Sequence, residues 1–484
     1  MAKATGAKGK DAKAAKKETA VHEKAYHGHA KDDAPAGLAG KAHEQRARHH
    51  AAVDVHAGEK LHHDEASKAL HEPAKAKQES PAQPQHKEPL LQAEVNIGTI
   101  GHVDHGKTSL VASLTGKWAD THSEEIKKGI SIRLGYADAT FYRCPNAGGP
   151  EGYTTKSRCA DGSDAIALRR VSFVDSPGHE TLMATMLSGA ALMDGAILVI
   201  AANEKCPQPS TAEHLMALGI VGVRNVVVAQ NKIDLVDSKR AKESYAEIRA
   251  FLKQYGYEDA PIIPIAANLN VNIDLLIEAI EQHIPTPKHD TSKEFRMFVV
   301  RSFDVNKPGT KPEDIRGGVL GGSITSGMLR VGDTIEIGPG IDGKPVETKV
   351  VSLGVEGGRI TQARPGGLIA VGTTLDPFYT KNDEMRGQVV GKPGTLPAPA
   401  TIVRLEVKPI ERLIDKGSGE LKVNDFVVLA VGSSTVVGQV ARQAGKDEFE
   451  MRLKSPVVIG KGERVAVSKR EHTGWRLRAY GICK

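Results

Sequence analysis

The sequence predicts an α/β domain with a mostly parallel sheet, followed by two antiparallel β-barrel domains. Short β-branched runs alternate with helical segments over 93–287, which is typical of a doubly wound sheet. Beyond residue 287 the helical segments stop, and short strands separated by Gly-rich turns follow, as in antiparallel barrels. The first 92 residues have almost no Ile, Phe or Val, so they cannot bury enough apolar surface to fold and are predicted to be a disordered extension.

The composition is that of a soluble protein with several domains. The chain has 484 residues, of which 40% are hydrophobic, and this length exceeds one typical core. The net charge of +6 permits a nucleic-acid partner without requiring one. Four cysteines do not make a disulfide framework, and neither a membrane span nor a secretory signal is predicted. We therefore expect a cytoplasmic protein in a reducing compartment, with no membrane partner.

The extension 1–92 is rich in Ala, Lys, His, Glu and Gly. Its histidines suggest a tail that binds metal or touches RNA, but a solvated, disordered segment is the simpler interpretation.

Five β-branched runs predict the buried strands of the α/β domain, and helical segments separate most of them. The domain is expected to end near Pro285-Thr286-Pro287, because proline breaks the last helix. An insertion is placed at 136–170. The five runs are VNIGTI, VSFVD, AILVIAA, VVVAQ and PIIPIAA.

Residues 288–397 and 398–484 are predicted to form the two β-barrels. Strand-like runs such as EFRMFVVRSFDV and DTIEIGPG lie in the first, and TIVRLEVK and FVVLAVG lie in the second. The segment GKPGTLPAPA (391–400) between them indicates a linker.

The stretch GHVDHGKT (101–108) fits the phosphate-binding pattern G-x-x-x-x-G-K-[ST], with a predicted strand before it and a helix after it. Backbone N–H groups of such a loop cradle phosphates at a helix N-terminus. Lys107 is expected to reach the β- and γ-phosphates, and the Thr108 hydroxyl is expected to bind Mg²⁺. The predicted nucleotide-binding residues of this loop are Asp104, His105, Gly106, Lys107, Thr108 and Ser109.

Two further motifs follow predicted strands in the order found in guanine-nucleotide switches. In DSPGH (175–179), Asp175 is placed to hold Mg²⁺ through water, and the Gly178 N–H can contact the γ-phosphate. In NKID (231–234), the Asp234 carboxylate can accept both N–H donors of guanine, which adenine does not offer. Asn231 would contact the base and tie loops together, while the Lys232 stem would cover the ring. The three motifs predict a GTP/GDP site.

A fourth segment, SEEIKKGISI (123–132), lies between the first two motifs. A hydroxyl is expected here to complete the Mg²⁺ shell, and Ser131 is the candidate. The segment is predicted to order with GTP and to loosen after hydrolysis.

Taken together, the chain over about 93–484 resembles the gamma subunit of archaeal and eukaryotic translation initiation factor 2. The three nucleotide motifs resemble those of translational GTPases. Several longer stretches resemble that subunit in particular: MLSGAALMDGAILVIAANE, ISIRLGYADA, QPSTAEHL, RSFDVNKPGT, GGVLGGSI, ARPGGLIAVGTTLDP and VGSSTVVG.

The resemblance implies a P-loop GTPase domain with two barrels, which carries methionylated initiator tRNA to the small ribosomal subunit. It also implies an alpha subunit on the second domain, a beta subunit on the first and a GTPase-activating partner. Two alternatives remain: an elongation-factor-like GTPase that delivers aminoacyl-tRNA, and a nucleotide-binding scaffold subunit.

The resemblance also assigns catalytic roles. His179 resembles the histidine that orients the attacking water. Val103 and Ile130 resemble the apolar gate that keeps this histidine away from the site before hydrolysis is stimulated. Asp104 and the Gly129 carbonyl match positions that can hold an extra cation near the phosphates.

Two positions depart from the family pattern. The usual switch threonine is Ser131, which keeps the hydroxyl. The guanine-supporting Ser-Ala-x loop is Ala266-Ala267-Asn268, in which the Ala267 N–H is still expected to meet guanine O6. The lost Ser hydroxyl is expected to cost about 1 kcal/mol or less.

The insertion resembles half of a zinc knuckle. Cys144 and Cys159 bracket a Gly/Pro-rich loop, but the positions expected for the other two thiolates are Ala147 and Gly162. A four-thiolate site is therefore excluded. Asp161 or Asp164 could complete a mixed site, but a loop that kept its fold without zinc is the favoured interpretation.

Overall fold

The computed structural model describes residues 92–118, 134–179, 182–410, 420–471 and 474–484. The predictions for the N-terminal extension, apart from Gln92, lie outside the described residues. The same holds for the segment 123–132, and with it for the roles of Gly129, Ile130 and Ser131.

The first domain is built on a seven-stranded sheet with the order β3-β2-β4-β1-β5-β6-β7. Its strands are β1 Val95–Ile100, β2 Gly135–Arg143, β3 Tyr153–Thr154, β4 Ile166–Asp175, β5 Gly195–Ala201, β6 Val226–Asn231 and β7 Ile262–Pro264. Its helices are α1 Lys107–Thr115, α2 Met183–Ala190, α3 Pro209–Val221, α4 Ser238–Gln254 and α5 Ile273–His283.

The central strands are buried on both faces, as their β-branched sequences predict. Every residue of β1, β5 and β6 is buried. Helices α1 and α5 supply apolar side chains to the core on one face of the sheet, and α2, α3 and α4 supply those on the other. Strands β1, β4, β5, β6 and β7 run parallel, so their carboxyl ends share one edge of the sheet.

The segment predicted as an insertion, 136–170, is mostly part of this sheet. Strand β2 pairs antiparallel with β4 from Gly135 to Arg143. Residues 144–165 form an excursion between these two strands, and within it only the short strand β3 pairs with the sheet. The alternation of β2 between buried and partly exposed residues is the pattern of an antiparallel strand near a sheet edge. In the excursion, Cys144 and Cys159 are joined in a disulfide, whereas the sequence predicted no disulfide framework.

Two antiparallel β-barrels follow, as the sequence predicts. The strands of the first barrel run in the order β11-β16-β8-β9-β15-β12, with β13 added beside β12, and a β11–β12 pairing closes the ring. Its main strands are β8 Arg296–Phe303, β9 Val319–Ser326, β11 Thr334–Ile341, β12 Lys344–Val355, β13 Gly358–Ile360, β15 Ile369–Thr373 and β16 Val389–Gly391, with a small sheet of β10 Leu329–Arg330 and β14 Gln362–Ala363.

The second barrel is a closed ring in the order β17-β20-β19-β18-β21-β22. Its strands are β17 Ala400–Pro409, β18 Phe426–Val431, β19 Ser434–Gln443, β20 Glu448–Val457, β21 Arg464–Glu471 and β22 Gly474–Cys483. Each barrel encloses its own apolar core.

Both barrels contact the first domain. Ala430, Ala466 and Leu477 of the second barrel belong to the same apolar cluster as α2 and α3. On the first barrel, the β12–β13 turn carries Glu356, whose side chain pairs with Lys117 and accepts the Asp138 N–H at 3.0 Å. Helix α2, which follows the DSPGH motif, is thus packed on the second barrel, and Glu356 joins the first barrel to the α/β domain.

Candidate nucleotide-binding site

The phosphate loop connects β1 to α1 at the carboxyl edge of the sheet. Helix α1 begins at Lys107 with Gly106 at its N-cap and no side-chain cap, the kind of helix N-terminus that attracts phosphate. Gly106 has φ +90°, and a Cβ there would lie 2.3 Å from Asn231 Nδ2. The loop therefore requires glycine at this position, both for its backbone conformation and for the approach of Asn231.

Lys107 of the phosphate loop lies against Gly178 of the DSPGH motif. The Lys107 side chain is buried, and its Nζ donates to the His102 carbonyl at 2.7 Å. A Cβ on Gly178 would lie 2.5 Å from that Nζ and 2.8 Å from Val103 N. The structure thus brings the DSPGH motif onto the phosphate loop, and only glycine permits the approach.

Two of the side chains predicted to hold Mg²⁺, those of Thr108 and Asp175, are in direct contact. Thr108 Oγ1 donates to Asp175 Oδ2 at 2.7 Å, and Thr99 Oγ1 donates to Asp175 Oδ1 at 2.7 Å. Asp175 is fully buried at the end of β4. A hydroxyl and a carboxylate are the hard oxygen ligands that Mg²⁺ prefers, so these residues fit the cation that the motif implies.

Asn231 connects the phosphate loop to the loop after β7. Its Nδ2 donates to the His105 carbonyl at 2.9 Å, and its Oδ1 accepts the Ala267 N–H at 3.0 Å. The predicted tie between loops is therefore present. The Ala267 amide, however, which the sequence assigned to guanine O6, donates to Asn231 in this structure, because Asn231 is fully buried beside it.

The other residues assigned to the base lie around this tie. Lys232 adopts a left-handed conformation with φ +63° and is half-buried, whereas Asp234 and Asn268 are exposed and Ala266 is buried. Their roles toward guanine remain predictions.

His179 is exposed at the carboxyl end of the DSPGH motif. Its carbonyl accepts the Leu182 N–H at 2.9 Å, immediately before α2. Val103 is half-buried and Asp104 is exposed, with φ +61° at Asp104.

The side chain of His105 anchors the phosphate loop to β5 and to the loop that follows β5. Its ring is almost completely buried, with Nδ1 at 3.1 Å from the Val199 carbonyl and Nε2 at 3.4 Å from Glu204 Oε2. Burial lowers the pKa of His105 to about 4, so the ring is neutral at pH 7. The predicted nucleotide contact of His105 would therefore have to come from its backbone rather than its ring.

His214 is a residue of this site that the sequence did not reveal. It lies on α3, fully buried, and its Nδ1 accepts the Gly101 N–H at 3.2 Å. Burial lowers the pKa of His214 to about 3, which keeps the ring neutral and able to accept. His214 lies within QPSTAEHL, one of the stretches that resemble the gamma subunit, but nothing in that stretch indicates a contact with a loop more than 100 residues away in sequence.

We expect His214→Leu to weaken GDP binding about tenfold. A buried N–H left without an acceptor costs about 1–3 kcal/mol, and about 1.4 kcal/mol corresponds to a factor of ten in affinity. His214→Asn, whose Oδ1 can take the position of Nδ1, is the matched control and is expected to stay within about threefold of the parent chain. Equilibrium titration with fluorescent GDP measures both. Unchanged affinity in a folded Leu variant would remove His214 from the site.

Two family models match the chain. The description "Elongation factor Tu GTP binding domain" applies to residues 92–286, and "Initiation factor eIF2 gamma, C terminal" applies to 401–483.

Curated relatives extend the match over most of the chain. The translation initiation factor 2 gamma subunit of Pyrococcus furiosus is 53% identical over 406 residues, which is 81% of this chain and 98% of the relative. The chain belongs to the gamma-subunit family of translation initiation factor 2. The same subunit of Archaeoglobus fulgidus is 54% identical over 401 residues, covering 81% of this chain and 94% of the relative. This gamma-family chain is accordingly a translational GTPase that acts in initiation, and GTP, GDP and Mg²⁺ are the ligands of its site.

Solved structures share the fold of this gamma-family chain. A bacterial selenocysteine-specific elongation factor matches with a TM-score of 0.63 and 26% identity, covering 80% of this chain and 58% of that one. Elongation factor SelB from Methanococcus maripaludis, solved with a GTP analogue, matches with a TM-score of 0.62 and 21% identity over 82% of this chain and 80% of that one. In the described part of the chain, no helix is long and apolar enough to span a membrane.

Proposed function

We propose that this chain carries methionylated initiator tRNA to the small ribosomal subunit in its GTP state and hydrolyses GTP on start-codon selection. The observation that carries the proposal is the convergence of three nucleotide motifs at one sheet edge, in a chain whose C-terminal domain matches the initiation-factor model. Such a role places the protein in the cytoplasm.

The contacts at the site support a division of labour among its residues. Lys107 and the N-terminus of α1 bind the phosphates, Gly178 contacts the γ-phosphate, and Asn231 holds the base-side loops together. Mg²⁺ would be held by Thr108 and, through water, by Asp175, and would offset charge that develops on the phosphates.

His179 is the proposed catalytic residue. It is exposed and directly follows Gly178, which lies against Lys107 of the phosphate loop, so a ring nitrogen can orient the attacking water. Asp104 is exposed in the phosphate loop, where its carboxylate can bind an additional cation. Ser131, Gly129 and Ile130 would contribute from the switch segment outside the described residues.

The packing supports a route from nucleotide to tRNA. The DSPGH motif leads into α2, and α2 shares an apolar cluster with the second barrel. The first barrel is held through Glu356, whose carbonyl accepts Arg170 Nη2 at 2.7 Å. A shift of the motif on loss of the γ-phosphate would therefore alter how the barrels sit on the first domain.

We propose an alpha subunit on the first barrel and a beta subunit on the α/β domain as partners, in keeping with the multi-subunit factor from which the relatives take their name. The small ribosomal subunit and a GTPase-activating partner complete the set. A bound zinc ion is not part of this proposal, because the insertion offers two thiols in place of four.

An elongation-type carrier is the second candidate, since one solved structure that matches at 26% identity is an elongation factor. The two functions differ in the tRNA that is selected. With a non-hydrolysable GTP analogue and the partner subunits present, we expect methionylated initiator tRNA to bind at least tenfold more tightly than methionylated elongator tRNA. Equal binding of the two would favour the elongation-type carrier.

A further inference from the structure

The excursion 144–165 contains two matching turns that each begin at a cysteine. The Cys144 carbonyl accepts the Ala147 N–H at 3.5 Å, and the Cys159 carbonyl accepts the Gly162 N–H at 3.0 Å. The third residue after each cysteine is where a four-thiolate knuckle has its second ligand. Here those residues are Ala147 and Gly162, whose side chains cannot bind a metal ion. The two turns are therefore present, but half of the metal ligands are absent.

The remaining candidates do not fit a metal either. Asp161 already accepts hydrogen bonds from Ser163 N at 2.9 Å, from Ser163 Oγ at 2.6 Å and from Asn146 Nδ2 at 3.0 Å. Within the described ranges, no group of three His, Cys, Asp or Glu side chains is arranged to hold a metal ion. The residues of this excursion therefore disagree with the zinc site that the family implies.

The excursion is held by other contacts. Cys144 and Cys159, exposed by only 6% and 9%, are bonded to each other with their Cα atoms 5.8 Å apart. The Asn146–Asp161 hydrogen bond crosses between the two turns on the outside. Arg143 donates to the Gly149 carbonyl at 2.7 Å. A covalent bond, a side-chain bridge and an arginine thus span the loop that a metal would otherwise hold.

We propose that the Cys144–Cys159 bond is a reversible thiol–disulfide cross-link that takes the place of the knuckle metal in this chain. The oxidant would be a low-molecular-weight disulfide. One cysteine thiolate attacks it and releases one small thiol; the second cysteine thiolate then attacks the mixed disulfide and releases the other. Two electrons pass from the cysteine pair to the oxidant, and the two protons of the cysteines are recovered on the two small thiols.

The cross-link restricts the motion of residues 144–165 and does not affect nucleotide binding or hydrolysis. Tyr153, near the middle of the excursion, packs on the core that α5 and the sheet share, while the phosphate loop is held by contacts that do not involve the cysteines. Reduction is thus expected to loosen 144–165 locally. This inference is independent of the proposed function, since it concerns a covalent bond that GTP and tRNA do not touch.

Thiol counting on the full chain tests whether the bond forms. After incubation with oxidised glutathione, alkylation under denaturing conditions is expected to modify two of the four cysteines, Cys206 and Cys483, which are the free ones. After reduction all four are modified. Four free thiols in the presence of excess oxidised glutathione would overturn the proposal.

Hydrogen exchange tests what the bond does. On reduction, the amides of Cys144, Gly152 and Cys159, which are hydrogen-bonded within the excursion, are expected to exchange at least tenfold faster, whereas the amide of Leu110 in α1 is expected to keep its rate. The double variant Cys144→Ser, Cys159→Ser is expected to match the reduced chain, and Cys483→Ser is the control that removes a thiol elsewhere. Equal exchange in the oxidised and reduced chains would contradict the proposal.

Cobalt tests the metal alternative without interference from the N-terminal histidines. Thiolate ligation of Co²⁺ gives a charge-transfer absorption that histidine ligation does not. The reduced full chain with one equivalent of Co²⁺ is expected to lack this absorption. Its appearance, and its loss in the double serine variant, would show a metal knuckle and overturn the proposal.

Discussion

Lys107→Ala is expected to abolish measurable binding of GTP and GDP. The Lys107 ammonium is buried in the phosphate loop, 2.7 Å from the His102 carbonyl and beside Gly178, and its removal takes away the positive charge nearest the phosphates. Charge-assisted hydrogen bonds contribute about 1.5–3 kcal/mol each, so the loss of more than one corresponds to a drop of about 100-fold or more in affinity. Isothermal titration calorimetry with GDP and a GTP analogue measures it.

Lys239→Ala is the matched control for this variant. Lys239 is exposed on α4, so its replacement removes the same charge outside the three motifs and is expected to leave nucleotide affinity within about twofold of the parent. Full GTP affinity in Lys107→Ala, with the protein folded, would contradict the assignment of the site.

His179→Ala is expected to bind GTP normally and to lose at least about 100-fold in stimulated hydrolysis. A side chain that positions or activates the attacking water contributes about 10²–10⁴-fold to such a reaction. His179 is exposed in the loop between Asp175 and α2, so its truncation leaves the buried contacts of Lys107 and Asn231 intact. Single-turnover hydrolysis with the small ribosomal subunit and the activating partner separates binding from chemistry.

His283→Ala provides the comparison for His179→Ala. His283 ends α5, where its Nδ1 lies 3.0 Å from the Ala279 carbonyl, and its removal is expected to leave hydrolysis unchanged. If His179→Ala turned over GTP at the parent rate under stimulation, His179 would have no part in the mechanism, and the scaffold interpretation would gain support.

The buried strands of the first domain could be predicted from the sequence, because runs such as AILVIAA are apolar at every position and are buried on both faces. The pairing of β2 with β4 could not, since it is a long-range contact and most of the residues GYADATFYR lie within the predicted insertion 136–170. Alternation predicts a half-buried strand but not the strand with which it pairs.

Most of the candidate site could be predicted from the nucleotide motifs. Lys107, Thr108, Asp175 and Gly178 lie in two short stretches whose motif patterns predict contact with one nucleotide, and the fold brings the two stretches together. His214 lies on a helix apart from both, and its hydrogen bond to Gly101 exists only because α3 packs beside β1 and β5. The engagement of the Ala267 amide by Asn231 likewise depends on how closely two loops approach, which spacing does not reveal.

We propose that the chain is a GTP-dependent switch that holds methionylated initiator tRNA. The most direct measurement is the affinity of the chain, together with its partner subunits, for that tRNA with a non-hydrolysable GTP analogue and with GDP. We predict binding at least tenfold tighter with the GTP analogue, because the DSPGH motif contacts the phosphate loop and leads into α2, which is packed on the second barrel. Equal affinity in the two nucleotide states would contradict the account.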